Sequence, residues 1–186
     1  MIVTDYNIYC CSLVFTAAIS AVIGIWCWRM NLTNLAVWEK LPRNRTAGTI
    51  LGFLALLWCV PHATPIVQDW AWLVGWLYPL VFICTVLGCL FLDYLFSRAF
   101  GGILILSAIY FLHESFTFHT PAAWIMAIIS WVIGIAGLFL SAKPHLLRDF
   151  IRLTAKDMLW RTVSAGFFMF FAGYSLIVGI MHLTRG

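Results

Sequence analysis

Charged side chains are scarce in this sequence. Of its 186 residues, 10% are Asp, Glu, Lys or Arg, whereas 63% are hydrophobic and 17% are aromatic. An ordinary soluble domain carries about 25% charged residues, because every surface helix or strand needs a polar face. The scarcity excludes a soluble globular protein, a disordered chain and a strongly charged nucleic-acid binder. It indicates an integral membrane protein, which has the lipid bilayer as a partner.

The sequence also lacks the alternation of apolar and polar residues that strands of a membrane barrel require. Residues 54–60 and 101–106, for example, do not alternate. Because a spanning helix takes about 20 apolar residues, we predict an all-α, polytopic helical bundle forming a single membrane domain. The six predicted transmembrane helices cover residues 8–28, 42–60, 70–92, 99–116, 121–140 and 159–181.

Two connecting segments have amphipathic character. Residues 34–41 place the apolar side chains of Leu35, Trp38 and Leu41 on one side, and residues 144–153 place apolar side chains on one side and charged side chains on the other. This pattern is typical of helices that lie in the membrane interface. We therefore predict an interfacial helix in each of these segments.

The basic residues are unevenly distributed. Ten of the eleven lie in or beside the loops that follow odd-numbered spans, and Arg185 follows the last span. Lys and Arg are retained on the cytoplasmic side, so loops 29–41, 93–98 and 141–158 are predicted to be cytoplasmic and both termini to lie outside. A bacterial inner membrane is the simplest setting. Since this retention explains the net charge of +4, we expect no nucleic-acid partner.

The turn at residues 93–98 has the weakest local sequence signal of the predicted breaks, because it contains neither Gly nor Pro. Parity supports it. If residues 70–116 held one span, the basic loops 29–45 and 141–161 would face opposite sides of the membrane, against the charge rule. Six spans is therefore the consistent count.

Chemistry-bearing motifs are missing. There is no P-loop, no G-x-G-x-x-G after a strand, no G-x-S-x-G and no H-E-x-x-H. No predicted span carries an ionisable side chain clearly at mid-bilayer, which argues against proton-coupled transport, an ion pump or a voltage sensor. We expect no intrinsic catalysis and no required cofactor.

Four histidines form the one candidate metal cluster. His62, His113, His119 and His182 all fall at predicted outer ends of spans, together with Asp69 and Glu114. Imidazoles and carboxylates bind transition metals, and two imidazoles can ligate a haem. The alternative is that these amphipathic side chains simply lie at headgroup level.

Aromatic residues follow the membrane boundaries. Eight of the ten Trp residues lie near predicted span ends, which predicts an aromatic belt; they are Trp58, Trp70, Trp72 and Trp124 outside, and Trp26, Trp28, Trp38 and Trp160 inside.

A seven-residue segment recurs in the chain. Residues 19–25 (ISAVIGI) match residues 129–135 (ISWVIGI) at six of seven positions. The match leads to the hypothesis of two related, parallel hairpin units, made of spans 1–2 and spans 5–6. The alternative is chance similarity between apolar segments.

Small residues four apart mark faces for close helix packing. Such pairs are Ser20–Gly24, Gly48–Gly52 and Ser130–Gly134. These faces serve the chain's own bundle, a membrane-protein partner or a homo-oligomer.

The favoured function is that of a non-catalytic, structural or accessory subunit of a larger membrane complex. Two alternatives remain open. One is a metal- or haem-binding redox subunit that uses the outer histidines, and the other is a channel or carrier for a small neutral or lipid-like solute.

Overall fold

The computed structural model describes residues 2–67 and 69–184, with the side chains at positions 2–5, 66 and 71 left undescribed. Arg185 therefore lies outside the described residues. Within these ranges the chain is helical and contains no strand. The helices are α1 (Ile2–Arg29), α2 (Leu32–Trp38), α3 (Arg45–Ala63), α4 (Ala71–Phe91), α5 (Leu95–Thr117), α6 (Ala123–Ala142), α7 (His145–Lys156) and α8 (Met158–Leu183). Short 3-10 turns occupy Leu41–Arg43 and Thr64–Ile66.

Six of these helices are long and apolar enough to cross a membrane, namely α1, α3, α4, α5, α6 and α8. At 1.5 Å rise per residue, even the shortest, the 19-residue α3, approaches the hydrocarbon thickness of about 30 Å. The prediction of a six-span helical bundle is confirmed, and the chain is a multi-pass membrane protein.

Capping side chains set where two of the spans begin. The Asn44 side chain accepts a hydrogen bond from Ala47 N at 3.2 Å and begins α3. Asp157 accepts one from Leu159 N at 2.9 Å, so that it separates α7 from α8. Each cap satisfies one of the backbone N–H groups that a helix start leaves unpaired.

The break between spans 3 and 4 is shorter than predicted. α4 ends at Phe91 and α5 begins at Leu95, so Arg98 already lies in the helix instead of in a loop over residues 93–98. Tyr94 supplies the reversal, since its φ of 56° is in the left-handed region. That conformation costs about 1 kcal/mol for a non-glycine residue. Because a tyrosine adopts it here instead of a glycine, the composition of the segment gives no signal for the turn.

The short helices of the connections lie close to their predicted positions. α2 covers Leu32–Trp38 and α7 covers His145–Lys156. On α7, Leu147 and Ile151 are buried while Asp149 and Lys156 are exposed. The amphipathic pattern of this segment thus separates a packed side from a polar one.

The described chain divides into two compact units. The first contains the chain up to Ala36, Phe111–Ile129 and the chain from Phe150 onward; the second contains Val37–Tyr110 and Ser130–Asp149. Neither unit corresponds to a hairpin of spans 1–2 or spans 5–6.

An antiparallel helix pair, α1 and α8, forms the centre of the first unit. Tyr6 contacts His182 at one end, and Arg161 Nη1 donates to the Met30 carbonyl oxygen at 3.1 Å at the other. Apart from Tyr9, the buried residues of α1 recur every three or four positions, at Cys10, Leu13, Ala17, Ser20, Gly24 and Cys27. This is the spacing of a left-handed helix–helix seam.

In the second unit, α3 packs against both α4 and α5. Phe53 of α3 and Phe82 of α4 have ring centroids 5.3 Å apart. A Cβ atom placed on Gly48 would lie only 2.6 Å from Phe96 N. Gly48 is therefore the residue that lets the α5 backbone approach α3.

Two glycines face each other where α5 packs on α6. A Cβ atom on Gly101 would lie 2.7 Å from the Gly137 carbonyl oxygen, and one on Gly137 would lie 2.7 Å from the Gly101 carbonyl oxygen. Arg98 Nη1 donates to the Ser141 carbonyl oxygen at 3.1 Å nearby. A cation at the end of α6 is favourable, because unpaired carbonyls give a helix C-terminus partial negative charge.

The two copies of the repeated segment pack in similar ways. In the first copy, Gly24 faces Met169 of α8, and in the second, Gly134 faces Ala108 of α5. The fourth residue of each facing helix is an arginine, Arg161 or Arg98, which donates to a carbonyl at the end of the repeat helix. The repeat is thus used in the pairs α1–α8 and α6–α5; common ancestry of the two copies stays a hypothesis.

Candidate functional site

An aromatic cluster surrounds His182 at the end of α8. The Tyr6 hydroxyl donates to the His182 carbonyl oxygen at 2.8 Å and lies 2.9 Å from Nδ1. The Tyr9 ring packs edge-on at 6.0 Å from the imidazole and stacks on Phe118 at 5.3 Å. The Tyr9 hydroxyl is 3.0 Å from Thr120 Oγ1. His182 is therefore held by neighbouring side chains in the packed end of the first unit.

The other predicted ligands have different surroundings. His113 is exposed, and its Nδ1 lies 3.3 Å from a carboxylate oxygen of the adjacent Glu114. His62 Nδ1 donates to the Trp58 carbonyl oxygen of its own helix at 3.2 Å. His119 and Asp69 are exposed. His119 occupies the turn after α5 with a φ of 47°.

Across residues 2–67 and 69–184, no group of three or more His, Cys, Asp or Glu side chains is arranged to hold a metal ion. All six cysteines are free thiols. The metal site formed by His62, His113, His119 and His182 therefore stays a sequence prediction without structural support.

The small-residue faces predicted to serve a bundle or a partner are all used inside the chain. Gly24 contacts α8, Gly48 and Gly52 contact α5, and Gly134 contacts α5 as well. A partner that packs on this protein needs another surface.

α4 offers the most open surface among the candidate spans. Only 6% of its 18-residue apolar window is buried, compared with 39% for α8. Val81 is its one buried residue among those whose burial is described. Large side chains project from it along its length, including Trp72 (69% exposed), Phe82 (62%) and Phe91 (78%).

A polar notch interrupts this apolar surface. Pro79 has no N–H to donate to the carbonyl of Gly75, four residues earlier. Tyr78 is 61% exposed, and its hydroxyl makes no hydrogen bond in the part of the chain that the structure describes. A Cβ atom placed on Gly75 would meet nothing within 4 Å. We call Gly75, Tyr78 and Pro79 the α4 notch.

Sequence reasoning missed the α4 notch and the cluster around His182. A signal for the notch was present, since a proline four residues after a glycine inside a span frees a carbonyl at a small residue. The i, i+3 spacing of Tyr6 and Tyr9 likewise places both rings on one face of α1. Which histidine they surround depends on the pairing of α1 with α8, because His182 lies 176 residues after Tyr6 in the chain.

Comparisons with protein-family models, curated proteins and solved structures find no significant match to this chain.

Proposed function

We propose that this protein is a non-catalytic accessory or structural subunit of a membrane complex, and that a transmembrane helix of its partner packs on α4. The α4 notch is the observation that carries the proposal. Pro79 leaves the Gly75 carbonyl without its helical N–H donor, and the exposed Tyr78 lies one turn from Gly75 on a helix whose apolar window is only 6% buried.

Lipid tails cannot satisfy these groups. Tyr78 lies seven residues into α4, which is about 10 Å below the helix start. An unsatisfied polar group in hydrocarbon costs several kcal/mol. A neighbouring helix supplies hydrogen-bonding side chains at that depth and packs closely where a glycine leaves space. The partner helix is therefore expected to carry Ser, Thr, Asn or Gln opposite Gly75.

The notch gives a direct test. We expect mild-detergent purification of the tagged full chain to recover a second membrane protein at a stoichiometric ratio. Gly75→Leu fills the notch and should lower that recovery at least tenfold, equal to a loss of about 1.4 kcal/mol. Tyr78→Phe removes one hydrogen bond and should lower it about threefold, because such bonds average about 0.6 kcal/mol in membranes. Quantitative mass spectrometry measures both ratios.

Gly166→Leu is the matched control. Gly166 lies on α8, and a Cβ atom there also meets nothing within 4 Å, so this variant should keep the partner. A monomer without a partner, self-association alone, or equal losses for Gly75→Leu and Gly166→Leu would each overturn the proposal.

The orientation is also proposed, with both termini outside and the basic connections in the cytoplasm, because the charge distribution supports it. In a cysteine-free variant, an impermeant maleimide should label His119→Cys in intact cells. Lys40→Cys and Lys156→Cys should react only after permeabilisation. All three positions are exposed, so access does not limit the reaction, and the opposite pattern would invert the topology.

The two alternative functions have less support. A mononuclear metal site needs ligands that converge, and no three His, Cys, Asp or Glu side chains are grouped in this way among the described residues. For a lipid-like solute, the structure offers an apolar groove of about 130 Å³ between α3 and α4, which includes Cys59 and Cys84. The groove extends over residues 56–63 and 77–84, which is about 11 Å along each helix axis and less than half of the hydrocarbon thickness.

A further inference from the structure

An open cavity of about 440 Å³ lies at the turn between α4 and α5, beside the start of α3. Three charged residues, Arg43, Arg45 and Asp93, line it together with Tyr94 and two leucines. All three are exposed, and none forms an ion pair within residues 2–67 and 69–184. The cavity thus brings together two positive side chains and one negative side chain that form no ion pair with one another.

Tyr94 holds one wall of this cavity in place. Arg43 Nη2 donates to the Tyr94 hydroxyl at 3.3 Å, and the guanidinium carbon lies 5.7 Å from the ring centroid. This is the distance range of a cation–π interaction. Tyr94 itself occupies the left-handed turn, with a φ of 56°. The strained turn therefore places the Tyr94 ring beside Arg43. Because only Nη2 of Arg43 bonds to Tyr94, the other guanidinium N–H groups are available to a ligand.

The remaining wall is apolar and lies where two candidate membrane spans meet. Leu92 and Leu95 line the cavity, and they flank the point where one span ends and the next begins. Arg45 is the first residue of α3. A ligand in this cavity therefore meets charged groups on one side and hydrocarbon on the other, which is the environment of a lipid headgroup.

We propose that this cavity binds the headgroup of a membrane phospholipid, with the phosphodiester between Arg43 and Arg45 and an ethanolamine ammonium at Asp93. Guanidinium groups bind phosphate oxygens through paired, charge-assisted hydrogen bonds. The carboxylate of Asp93 repels a purely anionic headgroup but accepts hydrogen bonds from a primary ammonium. A choline headgroup carries the same charge without N–H donors, so the site distinguishes the two.

Native mass spectrometry of the full chain in detergent tests the site with added phosphatidylethanolamine, phosphatidylcholine and phosphatidylglycerol. We expect one phosphatidylethanolamine to bind with higher affinity than either other lipid. Arg45→Gln should weaken it about fivefold, as each basic residue near the surface contributes about 1 kcal/mol. Asp93→Asn should abolish the preference for ethanolamine over choline. Because Arg45 and Asp93 make no side-chain hydrogen bond or ion pair among the described residues, both variants should fold.

Arg29→Gln is the control, since Arg29 is exposed at the same predicted membrane face but lies outside the cavity. It should leave lipid affinity unchanged. Equal weakening by Arg29→Gln and Arg45→Gln would show only a diffuse charge effect and overturn the site. Soluble phosphoethanolamine that competes as strongly as the lipid would overturn the lipid assignment. Equal binding of all three lipids would do the same. These outcomes are independent of the partner proposed for α4.

Discussion

Replacing Gly101 by alanine is expected to destabilise the protein by about 2–3 kcal/mol, whereas the same change at the adjacent Gly102 is not. A Cβ atom on Gly101 would lie 2.7 Å from the Gly137 carbonyl oxygen and 2.8 Å from Ser141 N. These are backbone atoms, so relief requires α5 and α6 to separate. Overpacking of a closed site typically costs 1–3 kcal/mol, and here the separation also weakens the Arg98–Ser141 hydrogen bonds.

Gly102 provides the control within the same turn of α5. A Cβ atom there meets nothing within 4 Å, and alanine is a better helix former than glycine. Thermal unfolding in detergent should therefore show a midpoint about 5–10 °C lower for Gly101→Ala and an unchanged or slightly higher one for Gly102→Ala. Equal midpoints for the two variants would contradict the close α5–α6 contact.

The second large effect is expected at Tyr9. Its side chain is fully buried between Phe118 and His182. In a membrane protein the helices stay in lipid on unfolding, so Tyr9→Ala loses packing and the hydroxyl bond to Thr120 but little transfer energy from water. We expect a loss of about 2–3 kcal/mol from the cavity and the lost contacts.

Two further variants separate the causes of this loss. Tyr9→Phe keeps the ring and leaves the Thr120 hydroxyl, which is buried, without its tyrosine partner, so it should cost about 1 kcal/mol. Phe15→Ala removes a ring from the same helix, but that ring is 67% exposed and should change little. Unfolding curves in which Phe15→Ala is as damaging as Tyr9→Ala would show that the cluster around His182 adds no stability.

The effects expected at Gly101 and Tyr9 concern how the helices of this chain pack against one another. Surfaces used in this packing are not available to a partner. The close contacts at Gly24, Gly48, Gly101 and Gly137 are satisfied within the chain. The partner site that we propose lies instead on α4, the candidate span with the smallest buried share, beside Tyr78 and Pro79.

The histidines show how far a candidate site can be predicted from composition. Their placement near span ends follows from the apolar pattern, and His182 and His113 do lie at or near the ends of α8 and α5. The side chains that surround each histidine cannot be predicted from this pattern. His182 is enclosed by Tyr6 and Tyr9, because α1 and α8 pair, whereas His113 stays exposed beside its own neighbour, Glu114.

The sequence by itself determined that this is a membrane protein with six spanning helices. Hydrocarbon admits few charges and requires each backbone group to be paired within its own helix, so long apolar runs are sufficient to locate the spans. A cap acts within three residues, but the predicted start of span 2 at residue 42 did not use Asn44, whose side chain begins α3 at Arg45.

Only the tertiary structure decided which helices pair. Lipid tails solvate one apolar helix as well as another, so hydrophobicity carries no information about partners. Pairing depends instead on where small residues allow backbones to meet and on which side chains reach across. Almost identical segments therefore pack on different helices, with Gly24 against α8 and Gly134 against α5.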